Sequence, residues 1–342
     1  MVKTGNELAL ALQELAGGEE RSGFLTTGYH RYGQAILMPF RVIRSKNEGP
    51  VVWIQGAVHG AEKTGTAAIV RLAQTLRPDS ISGTLVLIPV VNVLAFESGK
   101  RANHIDALPM DLNRHFPGQI DGSFTERIAA RLWEVVHNSV NYLIDIHTAS
   151  GYRVCPLHVL YRDVANEASK RARKMCFWAL TRAVWSSNEP VLDRSLMHVA
   201  TENGIPSIVL EAGRGEDVSL EHMEQLVRAL TNILSGLGVL PGTPELLDKY
   251  MILKGWANVM ANRGGLCLPL VQPGDVVEEG QPIAHVASLL GDVLETTHSP
   301  FGPAFVRSLV RPFMPIASGE RVVAVLKVTG EVALHAGTEE AL

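Results

Sequence analysis

The stretch Trp53-Ile54-Gln55-Gly56-Ala57-Val58-His59-Gly60-Ala61-Glu62-Lys63-Thr64-Gly65 decides how this chain is read. Val51 to Ile54 is an apolar run of the kind that forms a buried strand, and Gly56 and Gly60 punctuate a turn behind it. Ile69, Leu72, Ala73 and Leu76 then follow at the i, i+3, i+4, i+7 spacing of a helix face. His59 and Glu62 therefore sit where a strand hands over to a helix. In open α/β sheets the functional crevice lies outside the carboxyl ends of the strands. An imidazole and a carboxylate three residues apart reach one metal ion, and two His with one Glu is a donor set of hydrolytic zinc sites. Taken alone, this pair is more simply a solvated loop histidine and a first-turn glutamate favoured by the helix dipole.

Reading outward changes the balance. Residues 34–44 are strand material, the helix after Glu62 ends before Pro78, and Thr84 to Val91 is a strong apolar run. The polar stretch from Asn92 to Gly118 is far longer than the usual connection of ~4–6 residues. It carries Phe96, Arg101, Asn113, Arg114 and Phe116, which is poor composition for a disordered linker, so it reads as a functional loop. Ser123 to Glu126 is a capping box opening a helix with Phe124, Ile128, Leu132 and Val135 on one face. Leu143 to His147 is a short apolar strand ending in histidine, and a helix is predicted from about Val164 to Val184. Pro206 to Leu210 gives a further strand that runs directly into Glu211, and Leu220, Met223, Val227, Leu230 and Leu234 mark the helix behind it. In isolation His147 is a satisfied core histidine. Yet His59, Arg101 with Asn113 and Arg114, His147 and Glu211 each follow a separate predicted strand at its carboxyl end. That is the pattern of a crevice assembled from several loops.

Bulk properties narrow the class. With 342 residues, 46% of them hydrophobic and 19% charged, the chain is globular and long enough for one large domain or two smaller ones. A formal charge of −4 argues against a nucleic-acid surface. Cys155, Cys176 and Cys267 form no CxxC pair and leave an odd count, which fits a reducing compartment. The N-terminus reads as an amphipathic helix broken by Gly17-Gly18, without the apolar core of a signal peptide, and no run reaches the ~18 apolar residues of a membrane span. A cytoplasmic location is expected.

The sequence resembles the succinylglutamate desuccinylase/aspartoacylase family, a branch of the zinc carboxypeptidase fold. The resemblance rests on GAVHGAEKTG at 56–65, the Phe96 to Arg101 segment leading into DLNRHFPG at 111–118, DIHTAS at 145–150 and VLEAG at 209–213, covering roughly residues 50–215 in the family's order. It implies an α/β fold with a mixed sheet flanked by helices. It also implies one zinc ion per chain held by His59, Glu62 and His147. Arg101 would polarise the scissile carbonyl, Asn113 and Arg114 would hold a substrate carboxylate, and Glu211 would be the general base. Asp111 would orient a ligand histidine, the support that metal-bound imidazoles normally have. Asp145 reads equally well as a local cap. His104, His115 and His198 match no ligand position and read as ordinary polar residues.

The chemistry fits these assignments. Zinc lowers the pKa of its water towards ~7, a nearby glutamate takes that proton, and an arginine stabilises the developing oxyanion. No GxSxG elbow is present, so a covalent route is not favoured. The expected activity is hydrolysis of the amide of an N-acyl amino acid, a small-molecule partner, with no nucleic acid and no membrane. A homo-oligomer is open. The acyl groups implied are acetyl or succinyl, N-acetylated diaminobutyrate from ectoine breakdown being one case. Arg153, Arg162 and Arg214 are candidates to meet a second acidic group, against the plainer reading of solvated loop arginines. A carboxypeptidase acting on short peptides is the alternative within the enzyme class, and a non-catalytic small-molecule-binding protein on the same fold the alternative outside it.

Beyond about residue 243 the texture changes to short β runs. PGDVVEEGQPIAHV (273–286) and FMPIASGERVVAVL (313–326) form a weak repeat resembling a biotinyl/lipoyl-type barrel-sandwich domain. No lysine occurs between Lys254 and Lys327, so an unmodified all-β domain is expected at 244–342, following a catalytic domain at 1–243 whose N-terminal extension is 1–33.

Overall fold

In the computed structural model, residues 6–333 are described; residues 1–5 and 334–342, the outer ends of the N-terminal extension and of the C-terminal domain read from the sequence, lie outside them. The chain begins with α1 (Glu7–Glu14), β1 (Glu19–Tyr29), β2 (Ala35–Arg44), β3 (Val51–Gly56), α2 (Lys63–Thr75), β4 (Thr84–Ile88), α3 (Val93–Ser98) and α4 (Phe124–Ser139). It continues through β5 (Tyr142–His147), β6 (Arg153–Arg162), α5 (Glu167–Phe177), β7 (Ala183–Ser187), α6 (Leu196–Glu202), β8 (Ser207–Arg214) and α7 (Leu220–Gly236). The rest is β9 (Lys249–Met260), β10 (Gly265–Pro269), β11 (Val276–Val277), β12 (Pro282–Ala287), β13 (Val293–His298), β14 (Ala304–Val310), β15 (Pro315–Ile316) and β16 (Arg321–Ala333).

The large sheet has twelve strands in the order β1-β2-β4-β3-β5-β8-β6-β7-β9-β16-β14-β11. Its centre is parallel, β4 with β3, β3 with β5 and β5 with β8. Antiparallel neighbours flank it, so the sheet is mixed. The central strands are buried on both faces, as continuous apolar runs should be. Side chains alternate between two cores. Ile54, Ile144 and Leu210 pack with Ile69 of α2, Cys176 of α5 and Leu230 of α7. Trp53, Val86 and Leu143 pack on the other side with Leu8 of α1, Leu132 of α4 and Leu196 of α6. Among the described residues no helix is long and apolar enough to cross a membrane, and all three cysteines are buried and unpaired.

Three readings from the sequence change. The helix expected from Val164 to Val184 ends at Phe177, and Ala183–Ser187 is instead a fully buried strand inside the sheet. Arg153–Arg162, a stretch given no element in the sequence reading, is the antiparallel partner of β8. The strand expected to reach Val91 stops at Ile88, since Pro89 has no N–H to give the ladder. The N-terminal extension also contributes more than a helix, because β1 pairs with β2 along its length.

The repeat in the C-terminal third is structural. Each copy forms a two-residue strand, β11 or β15, a turn through Gly280 (φ 73) or Gly319 (φ 80), and a longer strand, β12 or β16. A separate four-stranded sheet, β13-β12-β10-β15, closes over β14 and β16 around Cys267, Ile283, Val306 and Val325. This is a β sandwich in architecture. We propose the division into a catalytic part and a β part near residues 243 and 244. The two parts share hydrogen-bonded registers at β7–β9 and β6–β14, which carry C-terminal strands to the edge of the site.

Candidate active site

β3 delivers the chain into the turn that holds His59, and this turn is packed against α3. A Cβ placed on Gly60 would lie 1.9 Å from the carbonyl carbon of Ala95, so only glycine lets the two backbones pass. Glu62 is the N-cap of α2, but its side chain makes no capping bond. Its carboxylate turns inward, where Oε1 is 2.9 Å from His59 Nδ1 and Oε2 is 2.8 Å from His147 Nδ1. It also accepts from the Thr148 N–H at 3.1 Å and the Ser150 hydroxyl at 2.8 Å. His147 ends β5, and its register partner on the adjacent parallel strand β8 is Glu211.

The outer nitrogen of each histidine meets an aspartate. His59 Nε2 lies 2.9 Å from Asp111 Oδ1, and His147 Nε2 lies 3.1 Å from Asp145 Oδ2. Asp145 and His147 are two apart on one strand and so share a face. That D-x-H spacing is the signal by which the sequence could have separated Asp145 from a local cap. When Nε2–H is donated to the aspartate, Nδ1 presents a lone pair to Glu62. Two acceptors at 2.8–2.9 Å repel unless a cation lies between them. Ligand atoms of His59, Glu62 and His147 all fall within 4.8 Å of one another, and all three residues are buried. The donor set therefore fits a metal ion with nitrogen and oxygen preferences. Protonated imidazoles satisfy the same contacts, and that is the state in which the two histidines act on Glu62. Burial would raise Glu62, but His59 and His147 hold its carboxyl well below the ordinary range.

The loop before α4 is ordered by its own polar groups. Asn103 Nδ2 donates to Asp106 and Thr125, and Asp106 accepts from the Phe124 N–H at 3.0 Å, fixing the loop to the start of α4. Arg101 grips Asp111 Oδ2 through Nη2 (2.7 Å) and Nε (3.2 Å), with Nη1 3.0 Å from Ser150 Oγ and 3.5 Å from Glu62 Oε1. Asn113 Oδ1 accepts from the Leu196 N–H and its Nδ2 is 3.3 Å from His147 Nε2. Arg114 Nη1 donates to the Asn113 carbonyl at 2.7 Å. Burial, partly offset by Asp111, lowers the Arg114 guanidinium.

His59, Glu62, Arg101, Asn113, Arg114, His147 and Glu211 line one cavity of about 410 Å3. Asp111 stands behind His59. A larger cleft of about 1120 Å3, between α7 and the C-terminal strands, holds none of these residues. Of the three arginines singled out for a second acidic group, Arg153 lines the cavity. Arg162 is spent on Asp193 and Glu202, and Arg214 on Asp217. His198 is likewise structural, 2.6 Å from Arg162 and pushed down to about 3 by burial and that arginine.

The C-terminal part supplies residues that the sequence reading assigned to no site. Trp256, Asn258, Arg307, Ser308 and Arg321 complete the cavity wall. Arg307 Nη2 donates to Glu211 Oε1 at 2.7 Å, its Nε lies 3.3 Å from His158 Nε2, and its guanidinium carbon stands 5.1 Å over the Trp185 ring.

A sequence model of the succinylglutamate desuccinylase/aspartoacylase catalytic domain matches residues 48–237. An N-alpha-acetyl-L-2,4-diaminobutyric acid deacetylase of Halomonas elongata is 28% identical over 258 residues, 74% of this chain and 74% of that protein. The product-bound structure of an ectoine utilization protein from Ruegeria pomeroyi superposes with a TM-score of 0.80 at 23% identity, covering 92% of this chain and 97% of that one. A succinylglutamate desuccinylase/aspartoacylase from Rhodobacter sphaeroides gives 0.80 at 24% identity, over 93% and 98% of the two chains. These structural likenesses extend the shared fold through the C-terminal strands.

Proposed function

Because the chain belongs to the succinylglutamate desuccinylase/aspartoacylase family, we propose that it is a zinc-dependent hydrolase cleaving the amide bond of an N-acyl amino acid. The observation that carries this reading is the trio His59, Glu62 and His147, with donor atoms within 4.8 Å and Glu211 as the cross-strand neighbour of His147. His59 Nδ1, His147 Nδ1 and Glu62 would hold the metal, which when bound supplies Lewis-acid activation of water and of the substrate carbonyl.

The remaining work falls to the side chains. Glu211, held ionised, takes the proton of the attacking water and returns it to the leaving amine. Arg101, anchored through Nε and Nη2, offers Nη1 to the carbonyl oxygen as negative charge develops there. Arg114 receives the substrate carboxylate, and Asn113 fixes Arg114 through its backbone carbonyl. Leu160, Trp185, Met197 and Trp256 on the same wall exclude water and cover the aliphatic part of the substrate. Asp111 and Asp145 fix the tautomer of the two histidines.

The test is a hydrolysis panel of N-acetyl and N-succinyl amino acids beside short peptides, with released acid and amine both quantified. Release of acyl acid and free amino acid from the N-acyl compounds supports the proposal. Cleavage confined to peptides would replace it with carboxypeptidase activity.

A further inference from the structure

Glu211 lies between two histidines. Its register partner on the parallel strand β5 is His147, and on the antiparallel strand β6 it is His158. His158 is fully buried, does not line the cavity and has so far no task. Its placement follows from the chain just before it. Pro156 has no N–H to give the ladder, and the register of β6 against β8 shifts between Cys155 and His158. Irregularities of that kind re-aim a side chain. Here the Pro156 carbonyl accepts a hydrogen bond from His158 Nδ1 at 3.0 Å. A carbonyl can only accept, so the proton sits on Nδ1, and the neutral ring presents a lone pair at Nε2. Burial keeps the ring in that form, lowering His158 below its ordinary value against the pull of Glu211. The lone pair is met by Arg307 Nε at 3.3 Å.

Arg307 is thereby held at three places. Nε donates to His158, the guanidinium carbon stands over the Trp185 ring, and Nη2 donates to Glu211 Oε1 at 2.7 Å. The guanidinium is a rigid planar fork, so fixing Nε fixes the direction of Nη2. Glu211 then has one oxygen engaged and the other clear, since Oε2 is 3.8 Å from His158 Nε2, too far for a hydrogen bond. A proton on Nε2 would break this order by setting donor against donor at Arg307. We propose that His158 is a positioning residue for the proposed general base: it fixes Arg307 at Nε, and Arg307 holds Glu211 by Oε1 and leaves Oε2 to take the proton of the water. This rests on the hydrolase reading above, which gives Glu211 its role, and adds to it a residue that touches neither substrate nor metal donors. A histidine buried for packing alone would be satisfied by Pro156 and by its edge contact with Phe305 (ring centroids 6.3 Å apart). The bond from Arg307 is what separates the two roles.

The experiment is a double-mutant cycle in the zinc-loaded protein, with kcat and KM measured on an N-acyl amino acid. His158→Asn keeps a donor for Pro156 but is too short to reach Arg307, whereas His158→Gln can set its amide oxygen where Nε2 stands. His158→Asn should lower kcat by about ten- to a hundredfold and leave KM within about twofold, because a misplaced base acts on water and not on substrate binding. His158→Gln should recover most of that loss. In an Arg307→Gln background the further change His158→Asn should cost little, since it acts only through Arg307. Equal losses in the Asn and Gln variants, or a His158→Asn loss that is the same with and without Arg307, overturn the positioning role and leave the hydrolase reading intact. Unimpaired turnover in Glu211→Gln, or no turnover of any N-acyl amino acid by wild type, refutes that reading instead. Crystal structures of wild type and His158→Asn then decide the positioning. Departure of Arg307 Nη2 from Glu211 Oε1 in the variant supports it, and an unchanged pair overturns it. Should His158→Asn fail to fold, nitrogen NMR of the wild-type imidazole decides: a proton on Nδ1 only is expected, and a proton on Nε2 overturns the assignment.

Discussion

Arg307 Nη2 sits 2.7 Å from Glu211 Oε1, so a strand of the C-terminal β part supplies the cation that faces the carboxylate proposed as general base. Burial alone would raise the pKa of Glu211, but Arg307, then His158 and His147, outweigh it and hold the carboxyl below its ordinary range. The C-terminal strands are thereby part of the cavity wall.

Replacing Arg307 by Gln should expose this dependence. Burial would then act with less opposition, the pKa of Glu211 would rise, and the acidic limb of the kcat/KM profile would move to higher pH. Because Glu211 is depressed in the folded protein, its contribution to stability is present above its unfolded pKa and is lost as pH falls through the folded value. That contribution should shrink in Arg307→Gln, at a cost on the order of 3 kcal/mol near neutral pH, since a nearly buried carboxylate loses its partner. A pH–rate profile and denaturant unfolding at two pH values check both parts.

The aspartates behind the proposed metal donors give a second expectation. Asp145→Asn removes the charge that orients His147, and Asp111→Asn does the same for His59 while also releasing Arg101. Each should weaken zinc affinity by about 10–100-fold with the three donor residues intact. Competition with a metal-binding dye measures this without reference to turnover.

How much of this was legible in the sequence follows from how local each signal is. His147 ends β5, His59 and Glu62 lie between β3 and α2, and Glu211 follows the apolar run of β8, so local pattern finds all four even though β8 runs on to Arg214. The β6 and β7 strands were hidden because Pro156 breaks one and the other follows an alanine- and arginine-rich helix without a clear stop. Arg307 and Arg321 could not be found that way. Arg307 lies in no motif and Arg321 lies in the second copy of the β repeat, which carries no site signature, so only the pairing of β14 with β6 and β16 brings them to the cavity. The same limit applies to Arg101, whose grip on Asp111 is a loop contact that no periodicity encodes.

Gly60 offers a test of the turn itself. Gly60→Ala would set a methyl group against the Ala95 carbonyl, 1.9 Å from its carbon, and backbone must shift to admit it. Loss of about 1–3 kcal/mol of stability is expected, as for overpacked interiors, together with weakened zinc binding as His59 is displaced. Thermal unfolding and metal content would read the two effects.

Arg114→Lys keeps the charge but loses the planar fork that suits a carboxylate. Its kcat/KM on a free-acid substrate should fall by about ten- to a hundredfold, the scale of a charge-assisted hydrogen bond. Amidation of that same α-carboxylate should impair wild type strongly and the variant far less. Equal rates of wild type on the acid and its amide would remove Arg114 from substrate binding.

The most direct measurement is a zinc titration of the stripped protein while hydrolysis of an N-acyl amino acid is followed. Activity should be near zero without metal, rise with added zinc and level off at about one equivalent per chain. His147→Ala, taken through the same titration, should show no rise at stoichiometric zinc. Full activity in the stripped protein, or an unchanged plateau in His147→Ala, would contradict metal-dependent hydrolysis at His59, Glu62 and His147.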